Sequence, residues 1–87
     1  MWNLRNNELN ATFKFKDFTE AFSFMTEVAL HAEKHNHHPS WSNAWNTVEI
    51  TLTTQEAGNV VTNKDRELAR IIEEIYQKYQ VRSRAFA

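Results

Sequence analysis

Leu9, Ala11, Phe13 and Phe15 alternate with Asn10, Thr12 and Lys14. A period of two is that of a strand with one buried face. Asn6-Asn7 can take the positive φ of a tight turn, so the opening reads as a hairpin of strands 2–5 and 8–15. The period then changes. Phe18, Phe22, Met25, Ala29 and Ala32 recur at steps of four and three, with Ala21 and Val28 beside them. That stripe predicts an amphipathic helix facing a core. Asp17 with Glu20 three residues on is a capping-box-like start. Asn36 and the approach to Pro39 end the helix near His35.

Period two returns further on, where Val48, Ile50 and Leu52 alternate with Glu49, Thr51 and Thr53. This predicts a second hairpin, Trp41–Trp45 and Val48–Thr54, turning at Asn46-Thr47. Residues 55–61 form a loop with the single glycine, Gly58. Thr62 can cap a last helix whose first turn carries Asp65, the sign that the helix dipole favours. Its stripe is Leu68, Ile72, Ile75 and Tyr79, widened by Ile71 and Tyr76, and it runs to about Gln80. Ile71 and Tyr76 lie off the main stripe and are candidates for a subunit contact. The order ββαββα predicts an α+β fold, a four-stranded antiparallel sheet with helices packed on one face.

Composition narrows the picture. The chain has 87 residues, which fits one domain spanning 1–87. A chain this short buries only roughly 60–65% of its unfolded surface. With no cysteine there is no disulfide to staple a thin core and no thiolate for catalysis or zinc. Small unstapled scaffolds often self-associate, so a homo-oligomer is expected. Lys and Arg number 10 against 11 Asp and Glu, without the basic excess of a nucleic-acid binder. Arg82 and Arg84 are expected as two exposed charges on a frayed end, not a patch. No apolar run approaches the ~18–20 residues of a membrane helix, and the opening residues lack a signal-peptide pattern. A cytoplasmic protein without membrane contact is expected.

All four histidines, His31, His35, His37 and His38, fall within eight residues. Imidazole, with an unperturbed pKa of ~6.5, gives and takes protons near neutrality. Adjacent histidines at a helix-to-strand junction point in different directions, and Pro39 freezes the backbone just after them. Trp41 and Trp45 supply flat apolar surface, which suits a flat hydrogen-bonding heterocycle. Three readings compete. The histidines are a solvated helix end favoured by the dipole. Or His31 and His35, at i and i+4, bind a metal with His37 or His38 as third ligand and Glu33 behind them. Or the cluster does acid–base chemistry on a small molecule.

A longer pattern bears on the choice. The stretch Glu33-Lys34-His35-Asn36-His37-His38-Pro39-Ser40-Trp41, followed by Trp45-Asn46-Thr47-Val48, Ile50-Thr51-Leu52-Thr53-Thr54 and later Asp65, resembles the signature of the pterin-4a-carbinolamine dehydratases. The resemblance covers about residues 2 to 80. It implies an antiparallel sheet with helices on one face, and subunits paired as homodimers or homotetramers. It implies dehydration of 4a-hydroxytetrahydropterin to quinonoid dihydropterin in tetrahydropterin recycling, with no metal and no organic cofactor. His37 is then the general acid, and His38 orients the pterin and shares the proton traffic as a second catalytic residue. Glu33 steadies one histidine, and Pro39 holds the turn. Backbone groups around Asn36 and along Thr53, Thr54, Gln55 and Glu56 hold the ring edges. Trp41 packs near the ring and Asp65 anchors the site. Trp41, Glu33, Asp65 and Glu56 each also have a plain reading, as sheet packing, a solvated helix residue, a helix-start carboxylate and a loop charge.

One departure stands out. The family usually places a third histidine in a Thr-His-Glu triplet, where this chain has Thr54-Gln55-Glu56. Glutamine makes hydrogen bonds but exchanges no proton near neutrality. The resemblance therefore also implies an alternative, a pterin-binding or interaction-type homologue of weak catalysis. Family members often carry a further helix before the first strand, and animal members also assist dimerisation of a homeodomain transcription factor. Nothing in this chain identifies such a partner.

Overall fold

The computed structural model describes residues 1–86, with side chains through residue 80. Arg82 and Arg84, expected as exposed charges, lie outside the described side chains. The elements are β1 (Asn3–Arg5), β2 (Glu8–Lys14), α1 (Phe18–Lys34), β3 (Ser40–Ala44), β4 (Thr47–Leu52), a 3-10 turn (Gln55–Ala57) and α2 (Asn63–Phe86). The order is ββαββα, as the periodicity predicts. α2 runs past the expected end near Gln80.

The strands form one antiparallel sheet in the order β1-β2-β4-β3. The central pair sets Leu9 opposite Leu52, Ala11 opposite Ile50 and Phe13 opposite Val48. All six are buried, and both helices supply buried residues to the same core. The opposite face carries the alternate residues Asn10, Thr12, Glu49 and Thr51, none of them buried. A period of two is legible because one face is dry and the other wet.

The turn between β3 and β4 is Trp45-Asn46, one residue earlier than the sequence suggests. Ala44 pairs with Thr47, and Trp45 takes φ 50°. Side-chain amides hold it there. Asn43 Nδ2 donates to the carbonyls of Trp45 and Thr47 at 3.2 and 2.9 Å. Asn46 Nδ2 donates to Phe15 O, and Phe15 N to Asn46 O, both at 2.9 Å.

α1 starts as expected. Asp17 Oδ1 accepts from Glu20 N at 2.8 Å, while Glu20 Oε1 accepts from Lys16 N at 3.1 Å. Its inward face is the expected one at Ala21, Met25, Val28 and Ala32 but not at the phenylalanines. Ala21, Phe24, Val28 and Ala32 are buried, whereas Phe18 and Phe22 are 49% and 56% exposed. Phe24 wins because its ring fits the sheet. It lies 5.2 Å from Phe13 and 4.8 Å from Phe15, between ring centroids. Burying such a side chain contributes roughly 1.5–3 kcal/mol. Phe18 and Phe22 instead touch each other outside, 5.9 Å apart.

α2 buries Leu68, Ile72, Ile75 and Tyr79, as its pattern predicts. Tyr76, a candidate for a subunit contact, packs within its own chain. Its ring meets Phe13 and Phe15 edge-on at 4.9 and 5.4 Å. Its hydroxyl donates to Lys14 O at 3.1 Å. Ile71 is likewise packed against the core.

Candidate active site

The two adjacent histidines are placed by the way α1 ends. Asn36 adopts φ 50°. His37 N donates to Ala32 O at 3.0 Å, and Asn36 N to Glu33 O at 3.1 Å. This is a Schellman ending with a left-handed asparagine after the cap. The chain reverses there, so the two imidazoles diverge. His37 turns inward and is 7% exposed. His38 turns outward and meets Glu33 one turn back, its Nε2 lying 2.9 Å from Glu33 Oε1.

His37 meets a carboxylate from a distant segment. Its Nε2 lies 2.5 Å from Oδ1 of Asp65, which is 0% exposed. Thr54 Oγ1 donates to Asp65 Oδ2 at 2.6 Å, and Thr62 N donates to the same oxygen at 2.9 Å. Thr62 O accepts from Arg66 N, so Thr62 is the N-cap of α2 and Asp65 the reciprocal acceptor of a capping box. Burial pushes the Asp65 carboxyl up. The hydrogen bonds from Thr54, Thr62 and His37, with the attraction of the imidazole, outweigh it and hold the carboxyl below the ordinary 3.8 of an aspartate. The pair is therefore a fixed anion beside a buried imidazole, an arrangement common at catalytic sites.

A hollow of about 290 Å³ opens beside this pair, lined by Asn36, His37, His38, Ser40, Thr51, Thr53, Gln55 and Glu56. Its size is at the small end for ligand sites. Every group on it can make hydrogen bonds, as a polar heterocycle needs. Among the described residues only Nε2 of the His37 ring is engaged. Among the described residues the one fully buried unpartnered side-chain N or O atom is Trp2 Nε1. Nδ1 of His37 is thus the accessible ring nitrogen, on a side chain that lines the hollow.

Of the residues singled out from sequence, Asn36, His37, His38, Thr53, Gln55 and Glu56 line the hollow. Glu33 and Asp65 stand behind His38 and His37. Pro39 follows the pair without lining the hollow. Trp41 faces away and packs against the core. Thr54 is buried, and its hydroxyl points to Asp65 and Thr62. Sequence reasoning missed Ser40 and Thr51. They sit opposite one another across β3 and β4, and register is what brings them to the hollow.

His31 and His35 do not join the pair. They line a wider groove of about 660 Å³ between α1 and α2, with Glu67 and Arg70. That groove is larger, and most of its charges lie in surface ion pairs. Arg70 pairs with Glu67 and Glu74, and Lys78 pairs with Glu27. Among the described residues no three His, Asp or Glu side chains gather closely enough to hold a metal ion. The smaller hollow is the one that holds the buried His37–Asp65 pair.

Known proteins share this arrangement of elements. A family profile described as "Pterin 4 alpha carbinolamine dehydratase" matches residues 1–75. A protein of Prochlorococcus marinus strain MIT 9515, provisionally named pterin-4-alpha-carbinolamine dehydratase, is 48% identical over 77 residues, 88% of this chain and 79% of its own length. A protein of Rhodopseudomonas palustris strain BisB18 with the same provisional name is 59% identical over 64 residues, 74% of this chain and 62% of its own. The crystal structure of a transcriptional coactivator/pterin dehydratase from Brucella melitensis superposes with TM-score 0.83 at 44% identity, covering 86% of this chain and 81% of that one. A pterin dehydratase-like protein described as a RuBisCO assembly factor in the alpha-carboxysome shares the fold, with TM-score 0.71 at 19% identity over 87% of each chain. With a profile matched over most of its length and relatives this similar, the chain belongs to the pterin 4 alpha carbinolamine dehydratase family.

Proposed function

We propose that this protein dehydrates 4a-hydroxytetrahydropterin to quinonoid dihydropterin, with His37 as general acid. The observation that carries the reading is the buried His37–Asp65 pair at the edge of a ring-sized polar hollow. Asp65 Oδ1 holds Nε2, and the accessible Nδ1 is the nitrogen that acts on substrate. In the protonated ring, Nδ1–H donates to the departing C4a hydroxyl. The C4a–O bond breaks as the N5 lone pair forms the C4a–N5 double bond, and water leaves. The N5 proton passes to a base, a role that we give to His38, which lines the same hollow. General acid catalysis of this kind contributes typically ~10²–10⁴-fold. Asn36, Ser40, Thr51, Thr53 and Gln55 supply donors and acceptors to the rim of the pterin.

The same reading makes the protein a single-domain cytoplasmic enzyme of pterin recycling that needs no cofactor. It forms a homodimer or homotetramer. The exposed apolar residues of α1, the paired Phe18 and Phe22 and, further along, Leu30, support self-association.

A second reading rests on Gln55. It lines the hollow and cannot exchange a proton there, which favours a pterin binder of low turnover or one acting on a single 4a epimer. A stopped-flow dehydration assay on the carbinolamine separates the two readings. The dehydratase reading expects turnover that falls by ~10²–10⁴-fold in His37→Ala, with pterin binding retained. An unchanged rate in that variant rules out the role given to His37.

A further inference from the structure

Asp65 is itself held by a directed set of hydrogen bonds. The Thr54 hydroxyl has one proton and two neighbours, Asp65 Oδ2 at 2.6 Å and Thr62 Oγ1 at 2.7 Å. An ionised carboxylate only accepts. Thr54 must therefore donate to Asp65, and the Thr62 hydroxyl must donate to Thr54. Both hydroxyl protons point toward the carboxylate, and Thr62 N points there too. Asp65 Oδ1 is left to accept from His37, which places the proton of the neutral ring on Nε2 and leaves Nδ1 bare.

The backbone of Thr54 is fixed without its side chain. Its N donates to Val60 O at 2.9 Å, and its carbonyl accepts from Asn59 N at 3.0 Å. The loop 54–60 therefore closes whether or not the hydroxyl is present. What the hydroxyl adds is a second donor on Oδ2, and with it a fixed rotation of the Asp65 carboxylate against the imidazole.

We propose that Thr54 is a positioning residue: through Asp65 it holds the neutral imidazole of His37 in the Nε2–H tautomer, so that the proton the ring gains and delivers as general acid sits on Nδ1, the nitrogen that faces substrate. This deepens the dehydratase reading and rests on it only for the rate. Without the Thr54 donor, Oδ2 keeps Thr62 N alone, and the carboxylate can rotate away from Nε2. Chains of polarised hydrogen bonds of this kind act beyond the sum of their pairs.

The test is ¹⁵N spectroscopy of imidazole-labelled protein at about pH 9, where ordinary imidazoles are neutral. Wild type is expected to show His37 with Nε2 protonated and Nδ1 bare. Thr54→Val is expected to show both tautomers in exchange, and Thr54→Ser to restore the single one. In the dehydration assay Thr54→Val should lower kcat about tenfold with KM unchanged, the effect of one lost bond to a charged group. Thr54→Ser should recover it. Wild-type His37 protonated on Nδ1 overturns the proposal, and that measurement needs no variant to fold. A single Nε2–H tautomer in folded Thr54→Val overturns it as well. A failure of the dehydratase reading shows separately, as an unchanged rate in His37→Ala while the tautomer pattern stands.

Discussion

Replacing Asp65 by asparagine isolates what the buried charge contributes to folding. The side chain keeps its size, and the site is 0% exposed, so packing is conserved. What changes is hydrogen bonding. The carboxylate accepts from His37 at 2.5 Å, Thr54 at 2.6 Å and Thr62 N at 2.9 Å. Bonds to a charged acceptor contribute about 1.5–3 kcal/mol each, against about 1 for a neutral one. Asparagine also has a single acceptor oxygen, so its amide must face either His37 or the two threonines. Together these lower stability by about 2–4 kcal/mol at neutral pH, a large part of the about 5–15 typical of a small domain. Urea titration followed by circular dichroism reads it as a midpoint lower by about 1–3 M with the slope unchanged. The pH dependence has a definite sign. The folded carboxyl lies below its unfolded value of 3.8, so its stabilisation is complete above that value and is lost as pH falls through the depressed one. The gap between wild type and Asp65→Asn should therefore close in acid. Equal midpoints at neutral pH, or a gap that widens with acid, would refute the account of Asp65 as a charged anchor.

Three further outcomes follow from the same geometry. Gln55→His should raise the dehydration rate if a second proton-exchanging group is what the hollow lacks; a rate that stays flat in stopped flow removes that explanation. Asn36→Gly should cost no more than a few tenths of a kcal/mol, since glycine is the usual residue after a Schellman cap, whereas Asn36→Val should cost about 1–2 because a β-branched residue resists positive φ. Thermal melts of the pair check this. Phe18→Ser combined with Phe22→Ser should shift the protein toward monomer in sedimentation while leaving its spectrum unchanged; retention of the larger species would place the interface elsewhere.

The sheet and α2 were legible because each presents one apolar face and one polar face, so period alone decides which side is dry. α1 was not. It carries two apolar stripes side by side, and the helical period is satisfied by either. Phe24 against Phe13 and Phe15 settles the choice, and that fit exists only once the sheet is assembled. At the candidate site, His37, His38 and Asp65 were readable as a spaced pattern. The turn at Trp45-Asn46 was not, because side-chain amides of Asn43 and Asn46 shift it by one residue. Nor was the buried orientation of Thr54, whose partner lies eleven positions on, nor the arrival of Ser40 and Thr51, which depends on strand register.

The left-handed Asn36 sends two consecutive imidazoles into different media. His37 and its carboxylate sit away from solvent, where dissolved ions screen poorly, while His38 and Glu33 face open water. At physiological ionic strength the screening length is about 8 Å and it shrinks as salt is added. Salt therefore loosens the outer pair and spares the inner one, so ionic strength becomes a dial that separates the work of two neighbouring residues without changing either.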